Sequence, residues 1–323
     1  MSSEQPTSST FGTAAYGGEN WSQRNRLHAE ELGTIWSACG IDSEWRPLKS
    51  VLVHTPGKEL ESSLDDPDAV QMLEPVDCGR AAEEHAAMIE AYRNAGVEVY
   101  QVEPDLPCPP NQMFCADLFV MTPQGAILAR PASTVRAGEE RWVARQLAAL
   151  GVPILKTLTG TATFEGADLM WLDETTAMIS RGPRTNQAGI AQITDLLTDL
   201  GIETVAADIP YGTMHFMGML RIADRDLAIG WPRRTPHAIV KLLLERGYRV
   251  EFPPFDDRAD SYRGINFVTL GPRRVLMVDG LPDIQRWFEG LGIECLTTPT
   301  VELAKAAGNV GCLTGILHRE MRA

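Results

Sequence analysis

The chain has 323 residues, 44% of them hydrophobic, enough to bury a substantial core in one large domain or two ordinary ones. Its formal charge of −14 leaves no basic stripe to neutralise phosphates, which argues against a nucleic-acid partner and favours small, especially cationic, ligands. No apolar run approaches a membrane span and no basic-then-apolar leader opens the sequence, so a cytoplasmic protein without membrane association is expected. The Ser-, Thr- and Gly-rich start predicts a flexible tail over residues 1–18, followed by a single domain over 19–323. The stretch "LKSVLVHTP" at 48–56 reads as a strand.

From there one grammar recurs. A helix-like stretch ends at a glycine and a short β-branched run follows, in "AYRNAGVEVYQV", "RQLAALGVPILK", "LLTDLGIETVAA", "LLLERGYRVEF" and "WFEGLGIECLT". The glycines, 96, 151, 201, 247 and 292, are spaced 55, 50, 46 and 45 residues apart, close to one period. Glycine suits the residue after a helix, where the left-handed conformation is common. Between the glycines lie strand–turn–strand patterns: "LFVMTPQGAILAR", "LMWLDETTAMIS", "GMLRIADRDLAIG" and "NFVTLGPRRVLMVD". A fifth half-hairpin, "CLTGILH", is expected to find its partner in "LKSVLVHTP", joining the two ends of the chain. The unit is thus two hairpin strands, a helix and another strand, repeated about five times. A doubly wound sheet would not need a hairpin before every helix. The alternative is a mixed α+β domain in which the similar spacings are coincidence.

The residues just before each hairpin carry chemistry: "QMFCAD" with Asp117, "TATFEGAD" with Glu165 and Asp168, "GTMHFMG" with His215, "RGIN" with Asn266, and "GNVGC" with Cys312. Units arranged around an axis would bring these side chains into one central pocket. A thiolate beside an imidazole is suited to covalent attack on an electrophilic carbon. Two carboxylates nearby raise a thiol's pKa, which would hinder a protease. A guanidinium substrate resolves the conflict, because the acids bind the planar cation and the cation stabilises the thiolate.

At these residues the chain resembles the guanidino-group modifying enzymes of the pentein fold, among them arginine deiminases, dimethylarginine dimethylaminohydrolases and amidinotransferases. "LKSVLVHTPGKEL" and "EEHAAMIEAYRNAGVEV" resemble the N-terminal part of arginine deiminases, "MFCAD" their Phe-x-Arg-Asp motif and "FEGAD" their Glu-Gly-Gly-Asp motif. "RGPRTNQAGI" is similar to the Arg-Thr-Asn segment of dimethylarginine dimethylaminohydrolases, and "ELAKAAGNVGCLTG" to the closing nucleophile segment. The resemblance implies an α/β fold, a five-fold pseudosymmetric propeller of ββαβ units. It makes Cys312 the nucleophile and His215 the general acid and base. It gives Asp117 and Glu165 the guanidinium, with Phe114 beside them in the same motif and Asp168 supporting Glu165 or His215. Arg184 matches the arginine that takes the substrate α-carboxylate; Arg130 and Arg136 are further candidates for that task.

Two positions depart from the pattern. Met217 stands where arginine deiminases and amidinotransferases carry an Asp, an acid that dimethylarginine dimethylaminohydrolases also lack. Ala116 replaces the arginine of the deiminase motif. With methionines at 214, 217 and 219 to line space for an N-alkyl group, the expected reaction is hydrolysis of arginine or an N-substituted arginine-like compound to a citrulline-type product. The alternatives are amidino transfer to an amine and, in another class, non-catalytic guanidine binding. The six cysteines show no CxxC pair and are expected to be free thiols. Neither a phosphate loop, a dinucleotide fingerprint nor metal-ligand spacing is evident, so no cofactor and no metal are expected. A homo-oligomer is compatible with the sequence.

Overall fold

A computed structural model describes residues 12–105, 107–254 and 263–322. Fifteen strands among them form five three-stranded sheets. In four of the five, two consecutive strands make an antiparallel hairpin and a third, returning through a helix, pairs in parallel with the second. These are β3 (Phe119–Thr122), β4 (Gly125–Leu128) and β5 (Ile154–Thr157); β6 (Leu169–Asp173), β7 (Thr176–Arg181) and β8 (Glu203–Asp208); β9 (Leu220–Asp224), β10 (Leu227–Gly230) and β11 (Arg249–Glu251); and β12 (Val268–Gly271), β13 (Arg274–Val278) and β14 (Glu294–Thr298). The remaining sheet is assembled from both ends of the chain. β15 (Gly315–Arg319) runs antiparallel to β1 (Leu48–Val53), with Val51 opposite Ile316, and β2 (Glu98–Gln101) adds in parallel.

The apolar pattern fixes where each strand sits. Every residue of β3, β4, β10 and β12 is buried, as expected of near-continuous apolar runs covered on both faces. The third strands β2, β8 and β14 keep exposed positions, so they form the outer rim of their sheets. The crossover helices are Cys78–Asn94, Glu140–Ala149, Gln187–Asp199, His237–Glu245 and Pro282–Gly290. Their starts are fixed by local chemistry. Asp77 accepts from Arg80 N at 2.9 Å, Asn186 accepts from Gly189 N at 2.9 Å, and Pro282 occupies a first-turn position where no amide hydrogen is needed. Past their ends, Gly96, Gly151, Gly201, Gly247 and Gly292 all have φ between +72° and +84°, the left-handed turn-out expected of this glycine repeat.

Each helix buries one face on its own sheet, Ile284 and Phe288 in the last and Ile193 and Leu197 in the third. Burying each such side chain contributes about 1.5–3 kcal/mol. Sheets also meet one another, β15 against β3, β9 against β12 and β1 against β12. Trp171 on β6 is fully buried and donates its indole N–H to Met121 O on β3 at 3.1 Å, linking two sheets through one satisfied polar atom.

Of the tail expected over 1–18, residues 1–11 lie outside the described residues, and Ala14–Tyr16 form a 3-10 turn. The segment after it is anchored. Cys39 and Ile41 are buried, Gly40 N donates to Leu317 O at 2.9 Å and Ile41 N to Thr122 O at 3.3 Å, so the segment bridges β15 and β3. No helix among the described residues is long and apolar enough to cross a membrane.

Candidate active site

Ahead of each hairpin the chain makes a short helical turn: Cys115–Leu118, Gly166–Asp168, Phe216–Gly218, residues 263–265 and Val310–Leu313. These turns border or carry Asp117, Glu165, Asp168, His215, Asn266 and Cys312. Asp117, His215 and Cys312 line a single cavity of about 400 Å³, together with Phe114, Arg136 and Arg184. Met214, Met217, Met219 and Trp231 add apolar surface to the lining, and Arg263 adds a further cation.

Cys312 Sγ accepts a hydrogen bond from Asn266 Nδ2 at 3.0 Å, and Asn266 is held from behind by Arg221 Nη2 on its Oδ1 at 3.3 Å. That arrangement needs Gly311. A Cβ there would lie 1.9 Å from Arg221 Nη2 and 2.4 Å from Asn266 Oδ1. Burial pushes the Cys312 thiol up and the Asp117 carboxylate pushes it further, while the bonds from Asn266 and the Asn309 backbone and the charge of Arg221 oppose the rise. A cationic ligand beside the sulfur would act against that rise.

His215 is buried, with Nε2 2.6 Å from Glu165 Oε2 and Nδ1 3.8 Å from Asp117 Oδ1. Burial alone would lower its pKa. The surrounding charges of Asp117, Glu165 and Asp168, with the Glu165 bond, outweigh burial and raise it to about 9. Glu165 is itself depressed, because the bond and charge of His215, with Arg136 and Arg184, overcome its desolvation. The pair is an imidazolium and a carboxylate.

Asp117 uses one oxygen for Arg136 Nη1 at 2.7 Å. Its other oxygen, Oδ1, is buried and has no hydrogen-bond partner among the described residues. A buried carboxylate oxygen without a donor is costly, and a ligand N–H would relieve it.

Several residues sit differently from expectation. Glu165, expected at the substrate guanidinium, is fully buried behind the cavity wall. Its oxygens are occupied by His215, Arg136 Nη1 at 3.2 Å, Arg184 Nη1 at 3.4 Å and Ala132 N at 3.1 Å, so it touches the ligand space only through His215 and the arginines. Asp168 is likewise fully buried. It accepts from Ser180 and Thr185 hydroxyls, each at 2.6 Å, and from Phe216 N at 3.0 Å, which fixes the backbone beside His215. Arg130 does not line the cavity. Its backbone pairs with Phe164 and its exposed side chain turns to Ala162 O at 2.8 Å. Arg136, six residues on, is the buried one. It is clamped by Glu139 at 2.8–3.3 Å, joined to Asp117 and Glu165, and stacked 5.8 Å from the Phe114 ring. Arg184 is on the wall. Glu139, Trp231, Asn309 and Arg263 carried no sequence signal of a role here. Asp117, Glu165 and His215 have ligand atoms within 4.8 Å of one another, as a metal would require. The Arg136 guanidinium already stands between the two carboxylates, so this group suits a cation pair and not a metal ion.

Set beside known proteins, the chain is similar to guanidino-group modifying enzymes. Among them the particular likeness is to dimethylarginine dimethylaminohydrolases. Residues 71–223 match the family described as N,N dimethylarginine dimethylhydrolase, eukaryotic. The N(G),N(G)-dimethylarginine dimethylaminohydrolase of Streptomyces coelicolor is 29% identical over 268 residues, covering 83% of this chain and 96% of that one. A crystal structure of a dimethylarginine dimethylaminohydrolase adduct with 4-chloro-2-hydroxymethylpyridine superposes with a TM-score of 0.70 at 20% identity, over 83% of this chain and 99% of the other. The amidinotransferase SxtG from Microseira wollei superposes with a TM-score of 0.71 at 15% identity, over 88% and 98%.

Proposed function

We propose that the protein hydrolyses an N-substituted arginine-like compound, of the dimethylarginine kind its relatives are named for, through a covalent intermediate on Cys312. The observation that carries this reading is the buried oxygen of Asp117 that lacks a hydrogen bond among the described residues, in the cavity that His215 and Cys312 also line. Residues 19–323 form one catalytic domain in this reading, with the five ββαβ units closed about an axis through the cavity.

A substrate guanidinium donates to Asp117 Oδ1 and brings its charge beside Cys312, whose proton passes to solvent. Asn266 holds the thiolate by its hydrogen bond. Sγ attacks the guanidinium carbon, and the C–N bond to the substituted nitrogen breaks as the His215 imidazolium gives that nitrogen a proton. Because Nε2 is held by Glu165, Nδ1 is the atom that moves the proton. The amine leaves, and neutral His215 takes a proton from the water that attacks the amidino-thioether carbon. The C–S bond breaks, and a citrulline-type product departs. In this reading Arg184 and Arg263, both on the cavity lining, take the substrate carboxylate, and Met214, Met217, Met219 and Trp231 pack against the N-alkyl group.

The test is an assay with dimethylarginine, arginine and agmatine, with and without an acceptor amine, alongside mass spectrometry of acid-quenched enzyme. Dimethylamine, citrulline and an adduct on the Cys312 peptide are expected, and Cys312→Ser should give none of them. Turnover by Cys312→Ser defeats the mechanism. A new guanidine formed from the acceptor would make the protein a transferase, and a rise in melting temperature without consumption would make it a binding protein.

A further inference from the structure

Away from the cavity, the connection from β2 to the turn at Cys115 passes the end of β1, and three side chains of different chemistry converge there. His54 follows directly on β1, Glu59 lies in the 3-10 turn Lys58–Ser63, and Cys108 lies on the connection. His54 Nδ1 contacts Val102 O at 2.9 Å, which makes Nδ1 the donor and leaves Nε2 with the lone pair in the neutral ring. Nε2 stands 3.3 Å from Glu59 Oε1 and 3.9 Å from Cys108 Sγ, and the three ligand atoms lie within 4.8 Å of one another. A tetrahedral zinc ion with ordinary bond lengths sets its nitrogen and oxygen ligands about 3.4 Å apart and its nitrogen and sulfur about 3.6 Å apart. The two separations from His54 Nε2 need shifts of a few tenths of an ångström, and Glu59 and Cys108 would close in from within 4.8 Å of one another.

The competing occupant of this space is a proton. A His54 imidazolium would bridge Val102 O and Glu59, and burial is indeed outweighed by the bonds to Cys108, Glu59 and Val102. In that arrangement the sulfur is only a long second acceptor, at 3.9 Å, for an N–H that Glu59 takes at 3.3 Å, whereas a metal would use both atoms as ligands. Glu59 is also pre-set, because its Oε1 accepts from Gly57 N at 2.6 Å. His54 is 5% exposed and Glu59 and Cys108 are half-buried, so the group is dry on one side and reachable on the other.

We propose that His54, Glu59 and Cys108 form a zinc(II) site with three protein ligands and a fourth position for water. Imidazole, thiolate and carboxylate together select zinc over magnesium or calcium. None of the three lines the cavity, so the site stands apart from the chemistry at Cys312. The ion would tie the end of β1 to the segment that leads into Phe114 and Asp117. The spacing 54, 59 and 108 matches no local metal motif, which is why the sequence alone gives no sign of it.

The test uses the full chain carrying Cys312→Ser, so that the cavity thiol cannot bind metal, stripped with a chelator and titrated with zinc chloride by calorimetry and with cobalt(II) by absorption. One equivalent of zinc should bind, and cobalt should show thiolate-to-metal charge transfer. Adding Cys108→Ser should remove the charge-transfer band and weaken zinc by about 100-fold or more, and His54→Gln should weaken it similarly. Should Cys108→Ser impair folding, Glu59→Gln serves instead, with the band kept and zinc weakened about tenfold or more. Absence of zinc binding to the Cys312→Ser protein overturns the proposal, as does a stoichiometry and band that survive loss of Cys108.

Discussion

Asn266 offers a clean perturbation of the proposed nucleophile, since it touches the sulfur but no other group of the proposed reaction. Its amide donates to Cys312 Sγ at 3.0 Å in a buried setting. A hydrogen bond to a charged partner is worth about 1.5–3 kcal/mol. With about 1.4 kcal/mol per pKa unit, Asn266→Ala should raise the Cys312 pKa by about one to two units. Asn266→Asp keeps the outline and the contact with Arg221 but replaces the donor by a like charge, so the rise should be larger. The assay is the pH dependence of iodoacetamide alkylation at Cys312, read on the isolated peptide, with kcat/KM followed in parallel and falling about 10- to 100-fold at neutral pH. A midpoint that stays put or moves down in both variants would show that the thiolate is not held by this bond.

Three more outcomes follow from the same geometry. Glu165→Gln removes the charge that keeps the proton on His215, so the alkaline limb of the kcat/KM profile, set near pH 9 by the raised imidazole, should move down by about a unit or more, and a pH–rate series reads it. The same raised His215 pKa links pH to stability. Its contribution is fully present below the unfolded histidine value of about 6.5 and is lost as pH rises through about 9, so urea unfolding should show falling stability across that window, with a shallower fall in His215→Gln. Gly201→Ala, at φ +76° with open space around the missing Cβ, should cost about 1–2 kcal/mol of backbone strain without touching activity, measured by thermal melts and turnover.

The repeated unit was legible because its signals are local. A glycine that must turn left-handed and a pair of apolar runs around a short turn are written within a dozen residues, and all five glycines and all five hairpin pairings are present. The pairing of "LKSVLVHTP" with "CLTGILH" came from counting strands, and β1 with β15 is that pair. The phase of Asp117, His215 and Cys312 in the repeat was legible too, and they share a cavity. What the sequence hid was side-chain direction. Arg130 and Arg136 flank one loop with no periodic pattern to say which turns inward. Burial beside Phe114 and the clamp of Glu139 decide it, with Asp117 and Glu165, both distant in sequence, completing the cage. Glu165 was expected to face the ligand, but a neighbouring imidazole and two arginines, all distant in sequence, take its oxygens.

The sheet that unites β1 with β15 has a consequence for how the molecule comes to life. β1 is synthesised long before its antiparallel neighbour exists, and joining them closes a loop that spans most of the polypeptide, a slow event in folding. Cys312 lies immediately upstream of β15, so the proposed nucleophile is delivered by the same late step. In a nascent or broken chain Cys312 therefore lacks its place beside Asn266 and Asp117, and the cavity is complete only when first and last strands have met.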